Sequence, residues 1–264
     1  MYKPFFFLYA ITLSLLSCKD TGLESPLASS PETPVAKLVE QDRTLTLDFI
    51  TGRFDPSSNE DFILIPEKYT DRPSMLMHKE AFMAFEKMWA AAKEAGHTLI
   101  IRSAARNFDY QRGIWERKWT GSTQLNDGSF ANEIEDEVKR ALKILEYSSM
   151  PGTSRHHWGT DIDFNSFENG WFESGEGLAL YNWLTQNAAS FGFCRPYTAK
   201  DGLRPYGYNE EKWHWSYTPL ASKYLSYAKE KLTNDDISGF LGSEQAATID
   251  VVNKYVFGIN SLCF

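Results

Sequence analysis

Apolar residues recur at every third or fourth position in several stretches of this chain. That spacing places them on one face of an α-helix, which can then pack against a core. In the first of these stretches Phe82, Phe85, Trp89 and Ala92 follow the pattern, and Gly96 is a typical residue just after a helix end. The helices that the spacing predicts cover residues 78–95, 109–119, 132–147, 178–191 and 220–232.

Three short segments have the pattern of β-strands instead. Residues 98–103 are a short apolar run, whereas residues 160–165 and 213–217 alternate between apolar or aromatic and polar side chains. Helices and strands interleave without the regular strand–helix–strand repeat of a parallel sheet. The pattern therefore predicts an α+β domain in which helices flank a small antiparallel sheet. It gives no assignment for about the last thirty residues.

The amino-terminal residues follow a third pattern, that of an export signal. Lys3 precedes an apolar run over residues 5–16, which is too short to cross a bilayer as a helix. The run ends in Leu15-Leu-Ser-Cys18, which resembles a bacterial lipobox, where the cysteine is lipidated and becomes the first mature residue. An ordinary secretory signal and an uncleaved anchor are the alternatives.

These features divide the chain into three parts. Residues 1–17 are predicted to be a lipoprotein signal peptide, and residues 18–41, rich in Ser, Pro, Thr and Glu, a flexible tether. Residues 42–264 are predicted to form one folded domain. We therefore expect an exported protein that a lipid on Cys18 anchors to a membrane of the bacterial cell envelope, facing the periplasm or the cell surface.

The composition agrees with a folded domain and argues against nucleic acid as a partner. Of the 264 residues, 42 % are apolar and 23 % are charged, which is enough to bury a core. The net charge of −8 argues against nucleic acid, because phosphate binding needs a basic surface. Cys194 and Cys263 remain if Cys18 is lipidated. They form either a disulfide, which an oxidising compartment permits, or two buried thiols.

The candidate chemistry lies in two short segments that together hold three of the five histidines. His156, His214 and one aspartate would supply two imidazoles and a carboxylate, which are the protein ligands of many catalytic zinc sites. A fourth position is then left for water, and Glu211, three residues before His214, could take a proton from that water. Asp161 and Asp163 point to the same face of a strand, so spacing does not choose between them.

Neighbouring aromatic residues suggest which side chains face the core and which face a cleft. His157 is adjacent to the first candidate ligand and would point elsewhere on any regular backbone. Trp115 and Trp119, four apart on one predicted helix, are expected in the core. Trp158 and Trp171 are expected in the cleft, where their rings could stack on sugars.

Both segments resemble motifs of the VanY-type zinc D-Ala-D-Ala carboxypeptidase family, one of the LAS metallopeptidases. That family carries Ser-x-His-x-x-Gly-x-Ala-x-Asp and, further along, Glu-x-Trp-His. A third family motif, Ser-Gly-Tyr-Arg-Ser-x-x-x-Gln, is similar to residues 103–111 of this chain. The matching positions are Ser103, Arg106, Gln111, Ser154, His156, Gly159, Asp163, Glu211, Trp213 and His214.

The resemblance implies a role for each matching polar residue. His156, Asp163 and His214 would bind one zinc ion per chain, carried by the small antiparallel sheet. Glu211 would be the general base and then the general acid, and Arg106 would stabilise the developing oxyanion or bind the substrate. The side chains that would contact the substrate or line its site are those of Ser103, Arg106, Gln111 and Ser154.

The chain also departs from the family pattern, without losing a ligand or the base. Asp161 adds negative charge near the site, and the absence of an aromatic side chain at Ala105 changes the peptide pocket, so the exact substrate stays open. The departures are Asp161 for Ala, Ala105 for Tyr, Asn107 for Ser and Lys212 for Pro.

We therefore expect a monomeric zinc peptidase that acts on peptidoglycan stem peptides as a D,D- or L,D-carboxypeptidase. A guanidinium such as that of Arg106 suits a terminal carboxylate, which it can hold by two parallel hydrogen bonds. An endopeptidase of the same family is the nearest alternative, because cleft-wall loops decide between the two activities. The others are a non-haem iron oxygenase, which would need two open positions and no Glu211, and a non-catalytic zinc-stabilised module that binds cell wall.

Overall fold

The computed structural model describes residues 45–264, and the predicted signal peptide, Cys18 and the tether lie outside these residues. Within them, no helix combines the length and the apolar character that crossing a membrane would require. Helices and short antiparallel strands interleave along the chain. The predicted α+β class is confirmed.

Helices form where the apolar spacing predicts them, with shifts at their ends. His78 precedes the first long helix, and its Nδ1 accepts the N–H of Glu80, while Gly96 follows the helix with a φ of 84°. Asn107 caps the next helix by accepting the N–H of Tyr110. The α-helices of the described residues are α1 (Leu47–Ile50), α2 (Lys79–Glu94), α3 (Phe108–Trp119), α4 (Glu137–Ile144), α5 (Gly175–Asn187), α6 (Thr218–Lys231) and α7 (Gln245–Ile249).

The helix predicted over residues 132–147 is shorter than expected. α4 begins only at Glu137, because the Asp136 carboxylate accepts the N–H of Lys139 at 3.0 Å and so starts the helix there. The preceding Ala131–Glu133 segment forms a separate 3₁₀ turn. The predicted start at residue 132 is therefore wrong.

A four-stranded antiparallel sheet carries the candidate residues. The strands of the described residues are β1 (Phe62–Leu64), β2 (Leu76–His78), β3 (Ile101–Ser103), β4 (Asp161–Phe164), β5 (Phe193–Cys194) and β6 (His214–Tyr217). The sheet has the order β3–β4–β6–β5, and β1 pairs separately with β2. Asp163 pairs with Ser103 on one side and with His214 on the other, and Asp161 pairs with Ser216. Residues that are distant in sequence therefore meet on adjacent strands.

The two faces of this sheet have different surroundings. Ile162, Phe164 and Trp215 point to one face, where they belong to a buried core with residues of α2 and α5. Because side chains alternate along a strand, the neighbouring positions on β4 and β6 point to the opposite face. Asp163 and His214 lie on that second face, which forms the floor of the candidate site.

The last residues of the chain, which no pattern assigned, pack into a second core. The Trp115 indole N–H donates to the Leu241 carbonyl at 2.8 Å, and the Trp115 ring lies 5.9 Å from the Phe240 ring. Cys194 and Cys263 form a disulfide, which is one of the two alternatives that the sequence allowed. The carboxyl-terminal segment is thus tied to β5 and supports α3, the helix that leads into the candidate site.

Candidate active site

His156 lies on a 3₁₀ turn, Arg155–Trp158, that leads into β4. Its Nδ1 is 2.8 Å from the carbonyl oxygen of Ala104, and because a carbonyl only accepts, Nδ1 carries the proton. The other nitrogen, Nε2, is buried and makes no hydrogen bond within the part of the chain that the structure describes. Burial also lowers the pKa of His156, which favours the neutral ring and leaves a lone pair on Nε2.

Gly159 ends this turn and allows the chain to enter β4 directly. Its φ of 68° lies in the left-handed region, which glycine adopts without steric cost. A Cβ atom at this position would lie 2.4 Å from the Phe62 ring and 2.9 Å from the backbone nitrogen of His78. The turn that presents His156 therefore requires a glycine here.

Three buried side chains bring one potential ligand atom each to the same place. His214 Nδ1 is 2.9 Å from Asp163 Oδ1, and His156 Nε2 is 3.3 Å from Asp163 Oδ2. The ligand atoms of these three residues all lie within 4.8 Å of one another. We refer to His156, Asp163 and His214 as the donor group.

The donor group fits a zinc ion. Two imidazole nitrogens and one carboxylate are the protein ligands of a typical catalytic zinc site. A buried polar atom such as His156 Nε2, which makes no hydrogen bond to any described residue, is suited to binding a metal ion. Burial lowers the pKa of His214, but hydrogen bonds to Asp161 and Asp163 outweigh it and raise that pKa to about 9. The surroundings therefore favour positive charge at this place.

Asp161 is not part of the donor group. Its Oδ2 lies 2.8 Å from His214 Nε2, whereas Asp163 Oδ1 lies against His214 Nδ1, the other nitrogen of the ring. The spacing of the two aspartates left the choice between them open. Of the two aspartates, only Asp163 places a ligand atom beside those of His156 and His214.

Glu211 lies beside the donor group in the same cleft. Its Oε2 is 3.5 Å from His214 Nδ1, and its side chain is only 8 % exposed. Burial raises the pKa of Glu211 to about 8, and the negative charge of Asp163 acts in the same direction. A cation at the donor group would favour the ionised carboxylate, so the protonation of Glu211 depends on what the cleft holds.

Arg106 and Gln111 line this cleft. The backbone of Arg106 is fixed at both ends, because its N–H donates to the His156 carbonyl at 3.1 Å and its carbonyl accepts from His157 Nδ1 at 2.6 Å. Arg106 Nε and Gln111 Oε1 are buried and have no hydrogen-bond partner among residues 45–264. Both side chains can therefore bind a molecule that enters the cleft.

His157 points away from the donor group, as expected for its position beside His156. Its Nε2 accepts the Gly152 N–H at 3.1 Å, so its proton must be on Nδ1, which donates to the Arg106 carbonyl. Burial lowers the pKa of His157 to about 3, which keeps the ring neutral. The residue links the turn at Gly152 to the backbone of Arg106.

Ser103 and Ser154 are both buried, and neither lines the cleft. Ser103 sits opposite Asp163 in the pairing of β3 with β4. The Ser154 hydroxyl has no hydrogen-bond partner among the described residues. Their contact with a substrate stays a prediction.

Lys118 also lines the cleft, although none of the recognised motifs includes it. Its ammonium group donates to Ser148 Oγ at 2.6 Å. Gln111 and Lys118 are seven residues apart on α3, so they lie two turns apart on one helix face. Helical spacing from Gln111 is the signal that could have found it. Lys118 gives the cleft a second cation in addition to Arg106.

Aromatic side chains form part of the cleft wall, but they are not the ones predicted. Trp158 is 2 % exposed and donates its indole N–H to the Ile50 carbonyl at 3.1 Å, so it belongs to the core. Trp171 packs against the core beside α5 and does not line the cleft either, so both predictions are wrong. Trp115 and Trp119 are buried, as predicted. The aromatic residues that line the cleft are Tyr147, Phe167, Tyr197, Tyr208 and Trp213.

Comparison with known proteins relates this chain to carboxypeptidases. The family model VanY, described as D-alanyl-D-alanine carboxypeptidase, matches residues 74–220. The putative carboxypeptidase YodJ of Bacillus subtilis (strain 168) is 31 % identical over 179 residues, which are 64 % of this chain and 56 % of that protein. A D-alanyl-D-alanine carboxypeptidase of Enterococcus faecalis is 28 % identical over 142 residues, 54 % of this chain and 48 % of that protein. The chain thus spans about half the length of these curated relatives.

Solved structures with a similar chain trace include a D,D-pentapeptidase and an LD-carboxypeptidase. The vancomycin-resistance D,D-pentapeptidase VanY in complex with Zn(II) is 25 % identical, with a TM-score of 0.44 over 61 % of this chain and 88 % of that one. The LD-carboxypeptidase LdcB is 23 % identical, with a TM-score of 0.47 over 65 % of this chain and 74 % of that one. At these scores the structural likeness is distant.

Proposed function

This chain belongs to the VanY family of D-alanyl-D-alanine carboxypeptidases, and we propose that it is a zinc-dependent peptidase of peptidoglycan stem peptides. In this proposal it removes the C-terminal D-amino acid, as a D,D- or L,D-carboxypeptidase. The observation that carries the proposal is the buried donor group, with the carboxyl of Glu211 beside it and the guanidinium of Arg106 in the same cleft.

Zinc fits the donor group through His156 Nε2, His214 Nδ1 and one Asp163 oxygen. When bound there, it would supply a water molecule of lowered pKa and polarise the scissile carbonyl. The protein contributes the orientation of these three side chains. The Ala104 carbonyl holds the His156 ring, and the pairing of β4 with β6 sets Asp163 against His214.

Glu211 is suited to moving the proton in this reaction. Because its Oε2 is 3.5 Å from His214 Nδ1, the carboxyl lies within reach of a molecule bound at the donor group. The ionised carboxylate would accept a proton from the attacking water, and the same group would return that proton to the leaving amine. Burial raises the pKa of this carboxyl, and a cation at the donor group would act in the opposite direction and favour the ionised form that accepts the proton.

The positive charges of Arg106 and Lys118 support a substrate that ends in a carboxylate. Both cations line the cleft that holds the donor group, and the buried Nε of Arg106 makes no hydrogen bond to the residues that the structure describes. A guanidinium can bind a carboxylate through two parallel hydrogen bonds, whereas an internal peptide bond offers no such charge. This arrangement favours cleavage at the end of a stem peptide over cleavage within it.

Amidation of the terminal carboxylate of a stem pentapeptide should lower kcat/KM roughly 10- to 100-fold, because a charge-assisted hydrogen bond to Arg106 is lost. Arg106→Lys should lower kcat/KM on the free acid, because lysine does not reproduce the two-pronged geometry. The same variant should also reduce the difference between the acid and the amide. Steady-state kinetics on the matched peptides measures these effects.

Arg112→Lys is the matched control, because Arg112 lies on α3, shortly after Arg106 in the chain, but pairs with Asp109 on the surface. It should behave like the unmodified protein on both peptides. Equal cleavage of the free and the amidated peptide would contradict the proposal. Cleavage inside the stem would point to the endopeptidase activity instead.

We further propose that the protein is exported and anchored to a membrane by a lipid on Cys18. The motif at residues 15–18 supports this location, and several acyl chains at one terminus would hold a membrane far more firmly than a single myristoyl chain. Cys18→Ala should release the protein from the membrane fraction or leave it unprocessed, whereas Thr21→Ala should fractionate normally. Immunoblots of membrane and soluble fractions, with the mass of the mature terminus, give the readout. Unchanged fractionation together with an unmodified Cys18 would contradict the anchor.

A further inference from the structure

A buried ion pair lies directly behind the donor group. Arg155 Nε is 2.9 Å from Asp161 Oδ2, and both side chains are fully shielded from solvent. Neither residue belongs to the donor group or lines the cleft. A buried ion pair contributes little net stability compared with apolar residues of similar size, so its position calls for another explanation.

The imidazole of His214 lies between two carboxylates. Its Nδ1 is 2.9 Å from Asp163 Oδ1, and its Nε2 is 2.8 Å from Asp161 Oδ2. The strand register causes this arrangement, because Asp161 and Asp163 share one face of β4 opposite Ser216 and His214 of β6. One ring cannot direct both nitrogens at one ion, so an ion at the donor group would be held by Nδ1, and Nε2 would stay with Asp161.

The carboxylate of Asp161 is held by hydrogen bonds on both oxygens. Oδ2 accepts from Arg155, and Oδ1 accepts from the hydroxyls of Ser216 at 2.7 Å and Thr160 at 2.8 Å. Arg155 also donates to Ser216 Oγ at 2.6 Å, which closes the network. An ionised carboxylate only accepts hydrogen bonds, so the proton of this contact must be on His214 Nε2.

We propose that Asp161, fixed by Arg155, is a positioning residue that sets the tautomer and the orientation of the His214 ring for metal binding. By keeping the proton on Nε2 it leaves the Nδ1 lone pair directed at the metal. Partners of this kind, which accept the second N–H of a ligating histidine, typically change metal affinity about 10- to 100-fold. Asp161 is one of the positions at which this chain departs from the family motif, which has alanine there. The inference rests on the proposed function, which supplies the metal.

Removing Asp161 alone would leave the Arg155 charge buried and unpaired, which could prevent folding. Two double variants avoid this problem, Arg155→Met/Asp161→Ala and Arg155→Met/Asp161→Asn. Both remove the two charges, but only the asparagine keeps an oxygen that can accept the His214 Nε2–H. The pair therefore separates the hydrogen bond to the imidazole from the loss of the ion pair. Circular dichroism and thermal unfolding of the full chain show whether both variants fold.

The decisive readout is the equilibrium affinity for zinc, measured by competition with a chelator of known affinity. The alanine variant should bind zinc about 10- to 100-fold more weakly than the unmodified protein and still reach one ion per chain at saturation. The asparagine variant should recover part of this loss. In proton NMR of the zinc-loaded protein, the His214 Nε2–H should give a downfield, slowly exchanging signal that disappears in the alanine variant and persists in the asparagine variant.

Two results would overturn the positioning role of Asp161. One is an alanine variant that folds and binds zinc as tightly as the unmodified protein, and the other is an asparagine variant no better than the alanine variant. Either result would leave the proposed function intact as long as the unmodified protein binds zinc and cleaves stem peptides. Failure of the unmodified protein to bind zinc would instead count against the proposed function itself.

Discussion

Replacing Glu211 by Gln should give a folded protein that binds zinc but turns over stem peptides about two to four orders of magnitude more slowly. Glutamine has nearly the same shape as glutamate and cannot exchange a proton. Glu211 is not part of the donor group, although its Oε2 is only 3.5 Å from His214 Nδ1, so the change removes the proton carrier and keeps the ligands. The kcat on a stem pentapeptide, together with the zinc content of the same sample, measures both parts of this expectation.

Glu210→Gln is the control for this experiment. Glu210 precedes Glu211 in the chain, but its carboxylate pairs with Arg195 at 2.9 Å and does not line the cleft. Its replacement should change kcat by no more than a few-fold. Near-normal turnover by the Glu211→Gln variant would mean that another group moves the proton.

Replacing Asp163 by Ala should abolish stoichiometric zinc binding, with turnover lost to the same extent. The change removes one of three ligands and leaves two imidazoles, too few for a stable site. The loss of zinc affinity should exceed the roughly 10- to 100-fold loss expected when a residue that only hydrogen-bonds a metal ligand is replaced. Metal analysis after dialysis against a dilute chelator measures the difference.

The control variant for this prediction is Arg155→Met/Asp161→Ala. It removes the neighbouring aspartate of β4, which contacts His214 only through Nε2, without leaving a buried charge unpaired. It should still hold one zinc ion per chain when zinc is in excess. The reverse result, in which the Asp163 variant keeps zinc and the Asp161 variant loses it, would contradict the assignment of the ligands.

The sequence predicted the helices and the strands of the site well because both depend on local periodicity. Alternation along residues 160–165 placed Asp161 and Asp163 on one face, and the structure agrees. Periodicity could not choose between these two residues. The choice depends on which nitrogen of His214 each carboxylate meets, and that follows from the register between two strands about fifty residues apart in the chain.

The failures of prediction come from contacts between distant parts of the chain. Trp158 lies within a metal-site motif and was expected in the cleft, but the carbonyl of Ile50, 108 residues earlier, accepts its indole N–H. The disulfide between Cys194 and Cys263 spans 69 residues and has no local signal. α4 was predicted too long because apolar spacing alone ignored the capping carboxylate of Asp136.

The composition of the cleft wall was also only partly visible in the sequence. Arg106, Gln111 and Trp213 came from motifs, whereas Lys118 reaches the cleft through the packing of α3. The ion pair of Arg155 with Asp161 could not be foreseen, because the motif that contains both residues does not reveal which of its side chains are buried together. Sequence therefore indicated the reacting groups more fully than the residues that hold them in place.

The mass of the products from purified muropeptides tests the central claim most directly. The zinc-loaded full chain should shorten each stem peptide by the mass of one terminal D-amino acid and leave the rest of the stem and its glycan intact. No such product should form after the zinc has been removed by chelation, and activity should return when zinc is restored. Fragments produced by cleavage within the stem, or terminal cleavage that persists without zinc, would contradict a zinc carboxypeptidase.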